Sequence, residues 1–156
     1  MRLKQFLLII VTCSILLIMG CSNNGETEEG EGEFPPSMDG LIIINGIEHQ
    51  IEQGGYEWER KKGLNTEIVQ TDHASPNQMA EHIKSIYVNP NEKIEIKIEG
   101  NPDITVYIWN EEGRVKEIIQ EENQITAPSN KGKYIYEVLA KWANGTVSYT
   151  FILEIQ

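Results

Sequence analysis

Cysteine is almost absent from this sequence of 156 residues, which contains only Cys13 and Cys21. Because no thiol follows residue 21, disulfides, thiolate catalysis and cysteine-ligated metals are excluded from the rest of the chain. A domain folded from that remainder has to be stabilised by its hydrophobic core alone.

Basic residues are also scarce, with 13 Lys and Arg against 24 Asp and Glu and a net charge of −11. Recognition of nucleic acid requires a basic face, so this balance argues against nucleic acid as a partner. It argues equally against docking of the domain on anionic lipid by its net charge.

An apolar run long enough for a membrane span is missing as well. The run from Phe6 to Met19 has 14 residues, whereas a spanning helix needs about 20. Arg2 and Lys4 precede the run and the small Gly20 follows it. This order predicts a secretory signal peptide over residues 1–20, and an uncleaved N-terminal anchor is the alternative.

The end of the signal resembles a known processing motif. Leu17-Ile18-Met19-Gly20-Cys21 is similar to the lipobox of bacterial lipoprotein precursors. The resemblance implies that the Cys21 thiol is lipidated and that Cys21 becomes the mature N-terminus. Because two or more acyl chains anchor a protein stably, we expect a protein held by this lipid on the extracytoplasmic side of the cell membrane.

The segment after the lipidation site is predicted to be a flexible acidic tether, residues 21–36. Ser22–Pro36 contains five glutamates, three glycines and no basic residue. Such a composition cannot offset the entropy of ordering, and a chain of this length has an end-to-end distance of about 20 Å. An acidic recruitment motif is the alternative interpretation.

Residues 37–156 are predicted to form one all-β domain. Apolar residues alternate with polar or aromatic ones in Lys93–Glu99 and Ile104–Trp109, which is the period of a half-buried strand. The same period predicts one buried face on each strand of a final hairpin, formed by Tyr134, Tyr136, Val138, Ala140 and Trp142 and by Val147, Tyr149, Phe151, Leu153 and Ile155. Asn45-Gly46 and Asn144-Gly145 each predict a type I′ turn with positive φ between two strands. Seven or more short strands with frequent turn signals favour an antiparallel β-sandwich.

One short helix is expected within this domain. Ser75 is suited to be its N-cap, Pro76 its first residue and Gln78 the partner that completes a capping box. The apolar residues that could form its buried face are Met79, Ile83 and Ile86.

Several motifs resemble known extracytoplasmic domains. Gly132–Tyr136 is similar to the tyrosine corner of immunoglobulin-like domains. Together with Gly55–Trp58, Thr71–Pro76 and Lys141–Tyr149, it resembles a domain of secreted and lipid-anchored proteins of bacilli and relatives, which is also found in some membrane peptidase or sensor homologues. The resemblance implies an immunoglobulin-like sandwich outside the cytoplasm, with no defined catalytic role.

Relatives of that kind often carry cysteines where this chain has Glu57 and Gln70. No bridge is therefore expected here, and no site residue is transferred from the resemblance.

Candidate site residues are few. Asp72-His73 is a polar pair in a loop next to the helix start, and either a binding role or a local loop contact would explain it. His49 and His82 are distant in sequence from His73, so three convergent zinc ligands are not predicted. We therefore expect neither a metal nor a cofactor.

Exposed aromatic residues would be the other candidates. If Ile104, Val106 and Ile108 face the core, Tyr107 and Trp109 share the outer face, where they could bind a sugar or a protein. The alternative places Trp109 in the core, as in immunoglobulin-like domains. The same two alternatives apply to Trp58.

We predict a monomeric, lipid-anchored protein whose sandwich is a non-catalytic binding module for another protein of the cell envelope. The alternative is a carbohydrate- or peptidoglycan-binding module that uses Tyr107 and Trp109. A hydrolase built on paired carboxylates is less favoured, because most glutamates alternate with apolar residues on strands or lie in turns.

Overall fold

The structure is a computed structural model that describes residues 33–118 and 121–156. The predicted signal peptide, Cys21 and most of the predicted tether lie outside these residues. The described part contains strands and one short helix. In chain order they are β1 (Gly40–Ile44), β2 (Ile47–Gln50), β3 (Glu52–Lys62), β4 (Asn65–Thr71), α1 (Pro76–Met79), β5 (Ile86–Val88), β6 (Lys93–Ile98), β7 (Asp103–Asn110), β8 (Gly113–Ile118), β9 (Gln124–Thr126), β10 (Gly132–Trp142) and β11 (Gly145–Ile155).

The strands form two sheets. The smaller sheet has the order β2-β1-β6-β9, and the larger has the order β4-β3-β11-β10-β7-β8. Neighbouring strands along both orders are antiparallel, and β5 adds a short parallel pairing to the end of β11. The predicted all-β sandwich is confirmed.

The core lies between the two sheets and follows the predicted alternation. Ile94 and Ile96 of β6 are buried, and so is Val106 of β7. In the long β10–β11 hairpin, Tyr136 stacks on Phe151 with ring centroids 4.9 Å apart. The other buried members of this hairpin are Val138, Ala140, Val147, Tyr149, Leu153 and Ile155. This confirms the faces assigned to these strands.

The tryptophan of the core is Trp58, whose side chain is only 2% exposed. Its ring packs against Trp142 at a centroid distance of 5.0 Å. Trp109 lies on the opposite face of the larger sheet, because its strand turns Val106 inward. Placing Trp109 in the core is therefore wrong, and so is treating Trp58 as a surface aromatic.

The two predicted tight turns differ in outcome. Asn45 and Gly46 have φ of +53° and +79°, as a type I′ turn requires. At the end of β10, however, Trp142 pairs with Gly145, so the turn residues are Ala143 and Asn144. The prediction of positive φ at Asn144-Gly145 is wrong, although the hairpin itself is confirmed.

Gly145 is required for a different reason. A Cβ atom at this position would lie within 2.7 Å of the Cε3, Cδ2 and Cζ3 atoms of Trp58. The glycine therefore allows the indole ring to pack directly against the backbone of β11.

The helix start is confirmed in detail. The Ser75 hydroxyl accepts from the Gln78 backbone N–H at 3.4 Å, and the Gln78 side-chain oxygen accepts from the Ser75 N–H at 2.9 Å. The helix ends at Met79. Ile83 lies beyond it and Ile86 belongs to β5, so the predicted places of these two residues on the helix face are wrong.

Two further features concern strands β3 and β10. Gly54 and Gly55 do not end a strand but form a bulge within β3, opposite the register shift between Val147 and Tyr149. The Tyr134 hydroxyl donates to the Asn130 carbonyl at 3.0 Å, which is the tyrosine-corner contact that the sequence predicts.

The compact unit begins at Glu33, slightly before the predicted start at residue 37, because Phe34 packs against the core. Among the residues described, no helix is long and apolar enough to cross a bilayer.

Candidate functional site

The helix covers the outer face of the larger sheet and leaves a groove beside it. Met79 is buried there, and the Thr150 hydroxyl of β11 donates to its sulfur at 3.5 Å. The adjacent groove has a volume of about 890 Å³, within the range of ligand sites. We call it the helix groove; its lining includes His49, His73, Met79, His82, Ile83 and Ile86.

The helix groove combines an apolar strip with a polar rim of both charges. Met79 and Thr150 are buried, while Ile83 and Ile86 are partly exposed. The exposed polar residues of its lining include Gln50, Glu52, Gln78, Glu81 and Lys84. This arrangement can bury apolar side chains of a bound segment while the polar groups of that segment contact the rim residues.

All three histidines of the chain line this groove, although the sequence separates them widely. His49 lies in β2, His73 in the loop before α1 and His82 in the turn after it. Within residues 33–118 and 121–156, no three His, Cys, Asp or Glu side chains are grouped closely enough to hold a metal ion. His73 and His82 are exposed at the rim of the groove, and His49 is partly buried.

The predicted pair Asp72-His73 is divided between two environments. His73 lines the helix groove, whereas Asp72 is exposed and its carbonyl oxygen accepts from the Thr71 hydroxyl at 3.4 Å. Of this pair, His73 is the residue that the fold brings into the candidate site.

A second cluster lies on the same outer face and is built around a buried carboxylate. Glu137 of β10 is 4% exposed. Its Oε2 accepts from Trp109 Nε1 at 2.6 Å and from Arg114 Nε at 2.7 Å, and its Oε1 accepts from the second Arg114 nitrogen at 2.8 Å. This is a bidentate pair, and its hydrogen bonds raise the pKa of Arg114.

Tyr107 and Trp109 belong to this cluster. Both lie on the outer face, which is the register that the sequence offered as one alternative. The Arg114 guanidinium lies 4.5 Å from the Tyr107 ring centroid and covers one ring face. Trp109 is partly buried, with its N–H directed at Glu137. The two aromatics are thus joined to the sheet by polar contacts rather than presented as a free platform.

Sequence reasoning missed Glu137, His49 and His82 as members of these sites. Glu137 is the one charged residue inside the run Tyr134–Ala140, which is a signal that could have identified it. The histidines carry no comparable signal, because strand pairing and the helix turn bring them together.

No protein-family model matches this chain, and no match is found among curated proteins.

Proposed function

We propose that the chain is a lipid-anchored protein of the extracytoplasmic membrane surface whose sandwich is a non-catalytic binding module for another protein of the cell envelope. The lipobox and the signal architecture support the anchor. The helix groove supports the binding role, and it is the observation on which the proposal depends.

The groove suits a protein segment because it offers both kinds of contact that such segments use. Its partly exposed Ile83 and Ile86 can receive one or two apolar side chains, each burial contributing about 2 kcal/mol. The rim residues His73, His82 and Gln78 can bond main-chain or polar groups of the same segment.

The alternatives receive no comparable support. A carbohydrate platform requires open ring faces, and Arg114 covers one face of Tyr107 while Trp109 bonds Glu137. For a hydrolase, the carboxylates of the groove are Glu52 and Glu81, both on exposed residues. The open rim does not provide the water-excluded setting in which paired carboxylates act.

Site-specific photo-crosslinking in intact cells tests the binding role. A crosslinking residue replaces Gln50 or His82 at the rim of the groove, and the control carries it at Lys116 on β8. We expect the rim probes to trap one defined envelope protein that the Lys116 probe does not. Adding Ile83→Asp should abolish the adduct without changing the circular dichroism spectrum. Identical adducts from all three positions would contradict the proposal.

The anchor has its own test. Cys21→Ala should abolish incorporation of a labelled lipid precursor, and the chain should then leave the membrane fraction. Cys13→Ala, in the predicted signal, is the matched control and should retain the label. Labelling that survives Cys21→Ala would refute lipidation at this residue.

A further inference from the structure

The β3–β4 hairpin extends beyond the end of the sandwich. The pairing of β11 with β3 reaches only to Trp58, and the Glu59 N–H then donates to the Asn144 carbonyl at 2.8 Å. Residues 60–62 continue past this point and pair with residues 65–67 of β4. At about 3.4 Å per residue, the tip projects roughly 10 Å beyond the β10–β11 turn. We call residues 60–67 the hairpin tip.

The hairpin tip has a charge opposite to that of the whole protein. Arg60, Lys61 and Lys62 form three consecutive basic residues in a chain of net charge −11. Arg60 bonds Glu67 across the two strands at 2.9 Å, whereas Lys61 and Lys62 are exposed. The outermost part of the hairpin is therefore cationic.

An aliphatic side chain occupies the apex of this cationic tip. Leu64 is fully exposed, to a greater extent than the other exposed large hydrophobic residues of the described chain. Gly63, with φ of +63°, makes the tight turn that places it there. A basic surface with a projecting aliphatic residue has the two components of interfacial membrane binding, charge attraction and apolar burial.

The chain from Cys21 enters the domain at the same end. The Phe34 ring lies under the Arg60 guanidinium, 4.3 Å from ring centroid to carbon. Farther along, the Met38 carbonyl accepts from the Tyr149 hydroxyl at 2.8 Å. β1 then runs toward the opposite end of the sandwich, where the Asn45 side chain bonds Glu92. The hairpin tip and the entry of the tether therefore share one end, and the β1–β2 turn lies at the other.

We propose that the hairpin tip docks on the anionic headgroups of the membrane that holds the Cys21 lipid. Lys61 and Lys62 contact headgroup phosphates, and Leu64 enters the interface between headgroups and acyl chains. The net negative charge of the chain does not prevent this, because the contact is local and exposed charges more than about 8 Å apart are largely screened at physiological salt. The inference rests on the proposed anchor, which confines the hairpin near the bilayer and raises its effective concentration there.

The test uses the lipidated protein produced from the full chain and reconstituted into vesicles. With Cys21 blocked by lipid and Cys13 removed with the signal, Leu64→Cys supplies a single thiol for an environment-sensitive fluorophore. The matched control is Ile47→Cys, at an aliphatic residue that is 62% exposed and directly follows the Asn45-Gly46 turn at the opposite end of the sandwich. Co-sedimentation reports the anchor, whereas probe emission and quenching by a spin-labelled lipid report the hairpin.

In vesicles containing half phosphatidylglycerol, we expect the probe at position 64 to shift to the blue and to be quenched by the spin-labelled lipid. The probe at position 47 should remain aqueous. Lys61→Gln and Lys62→Gln should each lower the docked-to-free ratio about fivefold, and vesicles of phosphatidylcholine alone should lower it about 25-fold because they remove both attractions. Co-sedimentation should stay unchanged in all three cases.

Three outcomes would overturn the inference. A protein that sediments with the vesicles while its position-64 probe stays aqueous refutes hairpin docking and leaves the anchor intact. A protein that sediments with neither kind of vesicle refutes the anchor, and the inference with it. A probe that responds to soluble polyphosphate but is not quenched by the spin-labelled lipid assigns the tip to an anionic polymer instead.

Discussion

Replacing Gly145 by alanine tests the most specific packing contact of the structure. The added Cβ would lie within 2.7 Å of three Trp58 ring carbons, whereas carbon atoms in contact are about 3.5–4.0 Å apart. Either the indole or the turn must therefore move by about 1 Å. Trp58 also packs against Trp142, with ring centroids 5.0 Å apart, so the movement disturbs a packed pair.

The loss of stability expected for Gly145→Ala follows from the kind of strain that the added atom causes. Overpacking of a core costs about 1–3 kcal/mol. We expect Gly145→Ala to be near the upper end of this range, because the neighbour is a buried ring and the position of the added Cβ is fixed by the backbone. Gly46 provides a control, since it has φ of +79° and open space around it. Gly46→Ala should cost only about 1 kcal/mol, which is the strain of holding alanine at a positive φ.

A double-mutant cycle measured by urea unfolding separates a clash with the Trp58 ring from a requirement of the backbone for glycine. In a Trp58→Leu background the ring is gone, so Gly145→Ala should cost less than about 0.5 kcal/mol, and the coupling should exceed about 2 kcal/mol. If Gly145→Ala costs the same in both backgrounds, the glycine is needed for backbone conformation and the packing argument is wrong.

Three further predictions concern the helix start, the buried tyrosines and the outer-face ion pair. Ser75→Ala removes the capping box and should cost about 1 kcal/mol in urea unfolding. Burial raises the pKa of Tyr136 and Tyr149 above the usual 10. The folded state therefore retains protons that the unfolded state loses, and the free energy of unfolding should fall as the pH rises above about 10. Tyr136→Phe should reduce this loss in alkaline denaturation curves. Arg114→Ala leaves the carboxylate of Glu137 with fewer donors and should cost about 1–2 kcal/mol in urea unfolding, a value discounted because the arginine is partly exposed.

Each of these has a result that would contradict it. Ser75→Asp should retain the cap, so an equal loss with alanine and aspartate would argue against capping. An alkaline unfolding curve that is identical for Tyr136→Phe would remove that phenol as a cause. Arg114→Lys should recover only part of the stability, because lysine lacks the fork geometry; full recovery would show that charge alone matters.

Patterns that depend on neighbouring residues were predicted well. The alternation in Lys93–Glu99 and in the final hairpin assigns the buried faces, since successive side chains of a strand point to opposite sides. The capping box at Ser75 likewise depends only on residues three positions apart, and it forms as predicted. The turn at Asn45-Gly46 is specified by the residues that tolerate positive φ.

Predictions that required knowledge of a distant partner were wrong or absent. Asn144-Gly145 has the composition of a type I′ turn, but Trp58, from another strand, occupies the space next to Gly145 and the turn lies one residue earlier. The extension of β3 to Lys62 was missed because its pairing with β4, rather than its own alternation, carries it beyond the sandwich.

The sequence by itself determined the all-β class and the faces of the main strands, because side-chain periodicity is a local property. The signal motifs around Cys21 likewise predict a membrane address from local sequence alone. Only the tertiary structure decided which tryptophan enters the core, brought three histidines to one groove and buried Glu137 beside Trp109 and Arg114. These outcomes depend on contacts between residues far apart in the chain, and strand order and register decide which of them form.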